Sequence, residues 1–368
     1  MKKAVIVLPT YNEAKNVEEL IPKIFQIAAT VANWEIHVII VDSYSPDRTE
    51  DAVIKLIKRY PRLHLLRLKE RGLGLAYLSG FKTAIEKLQP YLLFEMDADL
   101  SHDPKNIPEF LKAIEAGSDF VIGSRYMKGG SIPNDWGVHR KIFSFFGNLI
   151  IRLGFMKPKI TEWTNGYRAI KVWVIKSTSD QLKNYSGYVF QIAAIDRALK
   201  QGARISEIPI KFVDRKHGQS KISFPQYIFD IFLYIFTNSS FVKYVIVGMT
   251  GFVIDFGLSF IFIEKLKALV WFSTIISAET AIISNFLLNN SWSFSHKKLE
   301  GGLLTYIPQF LKFNLVSAGS LIIQAGGIQL FVNIFGRELW YLYKTIIIIF
   351  IIIPYSYILY NKVIWKER

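Results

Sequence analysis

The sequence predicts a mostly parallel α/β domain followed by a four-helix membrane domain, and three observations lead there. Short buried-strand runs alternate with helical patterns up to about residue 222. Polar clusters stand where three of those strands end. From Phe241 the composition changes, and four long apolar segments follow. The 368 residues leave room for two domains at roughly 150 residues each.

AVIVL (4–8) is the first strand, followed by the turn PTYNE. A helical pattern then runs through Val17, Leu20, Ile21, Ile24, Phe25 and Ala28. Pro22 sits badly inside it, so a late start or a kink is expected there. IHVIIVD (36–42) is the second strand, SYSPDRT a loop, and about 50–59 a helix. LHLLRL (63–68) is the third strand, and GLGLAYLSGFKTAIEKL supplies a glycine-containing loop and a helix. YLLFEM (91–96) is the fourth strand. Asp103 and Pro104 read as the N-cap and first residue of a helix that runs to Gly117. DFVIGS (119–124) is the fifth strand.

This alternation predicts a parallel, doubly wound sheet, whose ligands bind beyond the carboxyl ends of the strands at a topological switch point. The polar clusters Pro9 to Glu13, Asp42 to Asp47 and Asp97 to Asp103 fall at those ends. In extended chain Asp97 and Asp99 would point to one face, about 6.6 Å apart. Hard divalent cations take carboxylate oxygens, and Mg²⁺ is commonly held by one or two carboxylates plus substrate phosphates. A D-x-D at a strand end therefore predicts a metal–diphosphate site, against the plainer alternative of an acidic turn.

The formal net charge of +15 favours anionic partners such as nucleotides, lipid phosphates or an anionic bilayer. The absence of cysteine excludes disulfides, thiolate zinc sites and cysteine nucleophiles. MKKAVIVLP lacks the length and cleavage site of a signal peptide, which predicts a cytoplasmic start.

The apolar segments read as 241–263, 268–289, 313–335 and 339–360, each near the roughly 20 residues of a membrane-spanning helix. With four spans and a cytoplasmic entry, Lys297, Lys298, Lys312, Lys362, Lys366 and Arg368 fall inside, against Lys265, Lys267 and Arg337 outside. The domains are expected at 1–222, 223–240 and 241–368. The middle segment, SFPQYIFDIFLYIFTNSS, reads either as an amphipathic helix at the bilayer interface or as a helix docked on the soluble domain. Asp255, in the first span, is either a functional carboxylate or one paired within the bundle. Asn285, Asn289 and Asn290 are expected to cap helices or bond between them.

LPTYNEAKNVEELI, VDSYSPDRT, KERGLGLAYLSGF, MDADLSHDP and GSRYMKGG, in this order and spacing, resemble the polyprenyl-phosphate glycosyltransferases. These are inverting family 2 enzymes of GT-A fold, and the dolichol-phosphate mannose synthase type fits best. FQIAAIDRALKQGARISEIPIKFVDRKHGQSK (190–221) resembles the end of their catalytic domain, and the C-terminal spans resemble the GtrA-like membrane domain. The resemblance covers nearly the whole chain. It implies transfer of mannose from GDP-mannose, or of another sugar such as glucose from UDP-glucose, to dolichyl or another polyprenyl phosphate. Mg²⁺ or Mn²⁺ would be the cofactor, the bilayer a partner, and nucleic acid none.

By that resemblance Pro9, Tyr11, Glu13 and Asp42 hold the base and ribose. Asp97 and Asp99 meet the ribose, diphosphate and metal, with Asp99 the expected direct ligand and Ser101 beside it. Arg125, Arg140, Ser144, Arg215 and Lys221 match phosphate contacts. The plainer alternatives are ordinary surface cations for Arg125 and Arg140 and a helix start for Glu13, while His102 and His139 read as loop residues and not as ligands. The acceptor phosphate is already ionised near neutral pH, its second pKa being roughly 6, so no general base is nominated. Three departures stand out: Ser43 and Tyr44 where relatives commonly have a second acid and Asn, Ala193 where many have Glu, and EWTNGYRA (162–169) for a more usual Asp-x-x-Ser-Gly. A processive polysaccharide synthase is disfavoured by the lack of a Q-x-x-R-W segment before the spans. A lipid transporter with a regulatory nucleotide domain is disfavoured by the intact acidic and basic residues.

Overall fold

The computed structural model describes residues 1–214 and 224–366. They divide into two compact units, 1–153 with 157–233, and 154–156 with 234–368, the division falling within a helix.

In the first unit seven strands form one sheet: β1 (Lys2–Thr10), β2 (Trp34–Asp42), β3 (Leu63–Arg67), β4 (Leu92–Glu95), β5 (Phe120–Ser124), β6 (Arg168–Lys171) and β7 (Ile205–Pro209). The helices between them are α1 (Ala14–Ala28), α2 (Thr49–Ile57), α3 (Leu73–Leu88), α4 (Ile107–Glu115), α5 (Val138–Gly154), α6 (Val172–Leu182) and α7 (Gly187–Lys200). The order across the sheet is β3-β2-β1-β4-β6-β5-β7. The chain builds outward from β1 to β3, then crosses to β4 on the other side of β1. That reversal places the switch point between β1 and β4, where the acidic turn begins.

The sheet is mostly parallel, as the sequence predicts, with one antiparallel strand inside it. β6 runs antiparallel to both β4 and β5. RAIK is short and carries two cations, so no buried-strand run marks it. Its register puts Arg168 opposite Glu95, and the two form a fully buried pair 3.8 Å apart. Arg168 also donates to the carbonyls of Trp163, Asn165 and Gln191. A charged strand can therefore enter the middle of the sheet because its cation is paired there.

β1 is wholly buried from Ala4 to Leu8, as expected of a strand covered on both faces. Ala4, Ile6 and Leu8 join Val17, Leu20, Ile21 and Ile24 of α1 in the main core. α1 runs through Pro22 from Ala14, so the expected late start is not seen. On the other face α3 lies close to the sheet at Gly80, where a Cβ would stand 2.4 Å from Val7 Cγ1 and 3.0 Å from Val41 Cγ2. Gly80→Ala should cost about 1–3 kcal/mol by overpacking. Equilibrium urea unfolding would measure it, and an unchanged midpoint would show that the helix can lift off.

α8 (Phe224–Asn238) follows the undescribed residues. Four helices in the second unit are long and apolar enough to cross a membrane: Ser240–Lys265, Val270–Ser293, Leu303–Phe335 and Trp340–Ile364. The third starts at Leu303, well before 313, because LLTYIPQFLKF continues the helix although Lys312 lowers its apolarity. Asn290 bonds between elements: its Oδ1 accepts from Leu299 N at 2.9 Å and Trp365 Nε1 at 3.0 Å, and its Nδ2 donates to Tyr306 Oη at 3.1 Å. Asp255 Oδ1 is buried and has no hydrogen-bond partner among the described residues.

Candidate functional site

Three loops leave the carboxyl ends of β1, β2 and β4, and each holds a non-glycine residue in the left-handed region: Asn12 (φ 63°), Tyr44 (φ 51°) and Leu100 (φ 66°). Asparagine adopts this conformation readily, but tyrosine and leucine do so at a cost of about 1 kcal/mol or more. Hydrogen bonds hold the loops in place. Asp42 is buried and accepts from Thr10 Oγ1 (3.0 Å), Ser45 N (3.0 Å) and Ser45 Oγ (2.6 Å). Asn12 N donates to Ser45 Oγ, Glu13 N to Thr49 Oγ1, and Ala14 N to Asp47 Oδ2, each at 3.0 Å. Asp42 thus ties the β1 and β2 loops together.

Tyr11 lies under a cation that its motif did not reveal. The Arg71 guanidinium stacks 3.7 Å over the ring and bonds to its hydroxyl. Glu13 accepts from Asn16 Nδ2 at the start of α1. Pro9 is half-buried at the end of β1.

β4 ends at Glu95, so Asp97 and Asp99 lie beyond the strand. The alternation expected of extended chain does not apply, and the two carboxylates differ. Asp97 is 39% exposed at its side chain and accepts from the buried Tyr77 Oη at 3.2 Å. Asp99 is buried, and its Oδ1 accepts from Ser101 N (3.1 Å) and Ser101 Oγ (2.5 Å). Ser101 therefore orients Asp99. His102 is buried, its Nδ1 accepting the Asp97 N–H at 3.0 Å and its Nε2 donating to Asn165 Oδ1 at 2.9 Å. Both ring nitrogens are engaged in holding the loop. Asp103 accepts from Lys105 N and caps a short 3₁₀ turn before α4. Behind the loop, burial pushes the Glu95 carboxyl up to about 7 against the pull of Arg168.

A cavity of about 310 Å³ opens beside this turn. Asp97, Asp99 and Ser101 line one side, and Arg125, Arg140 and Ser144 also line it. Arg125 is clamped by Glu162, with Nε and Nη2 at 2.8 and 2.9 Å from its two oxygens. Glu162, a departure in the sequence, is fully buried and also accepts from Thr164 Oγ1 at 2.9 Å. Burial works against the charge on both partners, yet each stabilises the other. The Arg125 pKa is raised and the Glu162 carboxyl sits below its ordinary range.

Arg140 donates to both oxygens of Asp214 (2.9 and 3.2 Å) and stacks 3.8 Å over Trp136. Ser144 Oγ accepts from Tyr126 Oη at 2.5 Å. Arg215 and Lys221 lie outside the described residues. Ala193 is fully buried in α7.

Arg140, Ser144 and Asn148 recur every four residues and share one face of α5. Asn148 reaches Trp163 N and Glu162. Elsewhere the helix exposes Ile142, Phe145, Phe146 and Leu153. α5 is not among the elements expected from the sequence, although VHRKIFSFFGNLIIRL carries this amphipathic pattern. Nothing local in the sequence singles out Arg71, Trp136 or Asp214.

Among the described residues no three His, Cys, Asp or Glu side chains form a ready cage for a metal. Two hard carboxylates facing an open cavity instead match an ion shared between protein and substrate phosphates. Asp97 and Asp99 supply hard carboxylate oxygens to that cavity, so the donor set fits Mg²⁺ or Mn²⁺.

The family described as Glycosyl transferase family 2 matches residues 5–178, and the GtrA/DPMS, transmembrane domain matches residues 243–365. The chain is 31% identical over 329 residues to the dolichol-phosphate mannosyltransferase of Pyrococcus furiosus, covering 87% of this chain and 88% of that protein. It is 37% identical over 218 residues to the undecaprenyl-phosphate mannosyltransferase of Micrococcus luteus, 59% of this chain and 86% of that one. With the polyprenol monophosphomannose synthase of Mycolicibacterium smegmatis it shares 34% over 224 residues, 60% and 82% of the two chains.

Proposed function

Because this chain belongs to the family 2 polyprenyl-phosphate glycosyltransferases, we propose that it transfers mannose from GDP-mannose to dolichyl or another polyprenyl phosphate, with inversion. It is an integral membrane glycosyltransferase. The names of the three relatives described above, each a mannosyl transfer to a polyprenyl phosphate, support mannose as the sugar.

The observation that carries the reading is the two-sided helix α5. One face supplies Arg140 and Ser144 to a cavity that also holds Asp97 and Asp99. Its exposed Ile142, Phe145, Phe146 and Leu153 suit a lipid surface. A water-soluble donor and a lipid phosphate need such a meeting place. The exposed Phe229, Phe232, Leu233 and Phe236 of α8 support an interfacial position for that helix too.

In this reading Pro9, Tyr11 and Glu13 hold the nucleoside, on loops fixed by Asp42. Asp97 and Asp99 carry Mg²⁺ or Mn²⁺, which when bound supplies charge stabilisation to the departing diphosphate. Arg125, Arg140 and Ser144, with Arg215 and Lys221, receive the acceptor phosphate; charged donors on a phosphate are stronger than neutral ones. The phosphate oxygen attacks the sugar carbon already ionised, so no side chain need remove a proton. The soluble unit and both chain ends lie on the cytoplasmic side, as the loop cations favour.

Purified protein in detergent, given labelled GDP-mannose, dolichyl phosphate and Mn²⁺, should yield labelled lipid. EDTA should abolish the product, and Mg²⁺ or Mn²⁺ should restore it. Label appearing only from UDP-glucose would replace the donor. No labelled lipid from any nucleotide-sugar, or turnover indifferent to EDTA, would overturn the proposal.

A further inference from the structure

Arg125 and Arg140 line one cavity, and both guanidinium groups lie close to the ring of one side chain, Trp136. The Arg140 guanidinium lies 3.8 Å from the Trp136 ring centroid, and that of Arg125 lies 5.8 Å from it. Phe212 meets the ring edge-on at 5.8 Å. Each arginine is tied by one edge to its own carboxylate, Glu162 or Asp214. Arg125 Nη1 and Arg140 Nε carry no hydrogen bond among the described residues.

The indole itself is incompletely satisfied. Trp136 is only 6% exposed, yet its Nε1–H has no partner among the described residues. A buried donor left unpaired costs about 1–3 kcal/mol, and tryptophan normally finds a partner when buried. Trp136 lines the cavity, so a ligand in that space would remove the penalty. Its electron-rich face also offsets the repulsion between two cations brought close together.

We infer that Trp136 is part of the acceptor clamp: its ring spaces Arg125 and Arg140 around one phosphate, and its Nε1–H donates to a phosphate oxygen. Arg125 Nη1, Arg140 Nε and the indole then supply three donors from one wall, a set suited to a tetrahedral oxyanion. The inference rests on the reading that this wall holds the acceptor phosphate. It assigns Trp136 a contact with substrate as well as a positioning role.

Trp136→Phe keeps an aromatic ring and removes the N–H, whereas Trp136→Leu removes both. Steady-state kinetics with dolichyl phosphate and GDP-mannose separate the two contributions. The phenylalanine enzyme should show an acceptor KM raised about 10-fold or more, in line with loss of a hydrogen bond to a charged group, and an unchanged donor KM. The leucine enzyme should add a fall in kcat, because the arginines lose their spacer.

Arg140→Ala serves as the control. If it leaves the acceptor KM unchanged, the acceptor reading of the wall fails. If it raises that KM but Trp136→Phe does not, only the present inference fails. A rise confined to the donor KM in Trp136→Phe would also overturn the inference, by placing the indole on the nucleotide-sugar. Should the phenylalanine enzyme not fold, the indole ¹⁵N–¹H resonances of the wild-type protein in micelles give a second measure. One of them should move with dolichyl phosphate and stay fixed with dolichol; no movement with the phosphate overturns the inference.

Discussion

Asp99→Ala is expected to lower kcat/KM for sugar transfer by about three orders of magnitude while leaving the protein folded. The size follows from what an ion at that carboxylate contributes. Lewis-acid stabilisation of developing charge is worth several kcal/mol, and each ~1.4 kcal/mol is a factor of ten in rate. Asp99 is the sharper target of the pair because Ser101 fixes its orientation through two hydrogen bonds. Asp97 is more open to solvent and held by Tyr77. Activity across a Mn²⁺ titration, with near-ultraviolet circular dichroism as the check on folding, measures the effect. A folded Asp99→Ala enzyme that keeps metal-dependent turnover near the wild-type level would remove Asp99 from the site.

The parts of the fold that declare themselves locally were legible in the sequence. AVIVL, IHVIIVD and YLLFEM are apolar runs bounded by turn residues, and the polar clusters after them sit at the strand ends of a real switch point. β6 was not legible, because RAIK owes its place partly to a partner seventy-odd residues away: the buried Arg168 faces Glu95 and is further held by three backbone carbonyls. The same limit applies within the site. GSRY identifies Arg125, but nothing nearby says that Glu162 occupies two of its donors. EWTNG looked like a departure from a motif, and its glutamate is one half of a buried pair. The D-x-D spacing marks Asp97 and Asp99, but not the difference in their burial, nor the left-handed backbone at Leu100 that no propensity for leucine predicts. α5 and Trp136 show periodicity or composition in the sequence, but their meaning depends on what stands across the cavity.

Glu162→Gln should destabilise the first unit by about 3–5 kcal/mol, since it leaves a buried guanidinium without its counter-charge. Both members are deeply buried, at 9% and 0% side-chain exposure for Arg125 and Glu162, so solvent screening does little to soften the loss. The effect should depend on pH in a defined sense. Burial alone would raise the Glu162 carboxyl, but Arg125 and the Thr164 hydrogen bonds hold it below its ordinary value of 4.5. A carboxylate depressed in the folded state stabilises above its unfolded pKa, and that contribution is lost as pH falls through the lower folded value. The gap between wild type and Glu162→Gln should therefore be constant from neutral pH to about 5 and narrow below the ordinary carboxylate range. Denaturant unfolding in detergent at a series of pH values reads this directly. Replacing both partners by leucine should restore much of the stability, because a buried pair can be exchanged for apolar packing at little cost, while turnover stays absent for want of Arg125. Equal stability of Glu162→Gln and wild type would mean that Arg125 finds other acceptors; a double variant as unstable as the single would mean that the lost packing, not the unpaired charge, sets the cost.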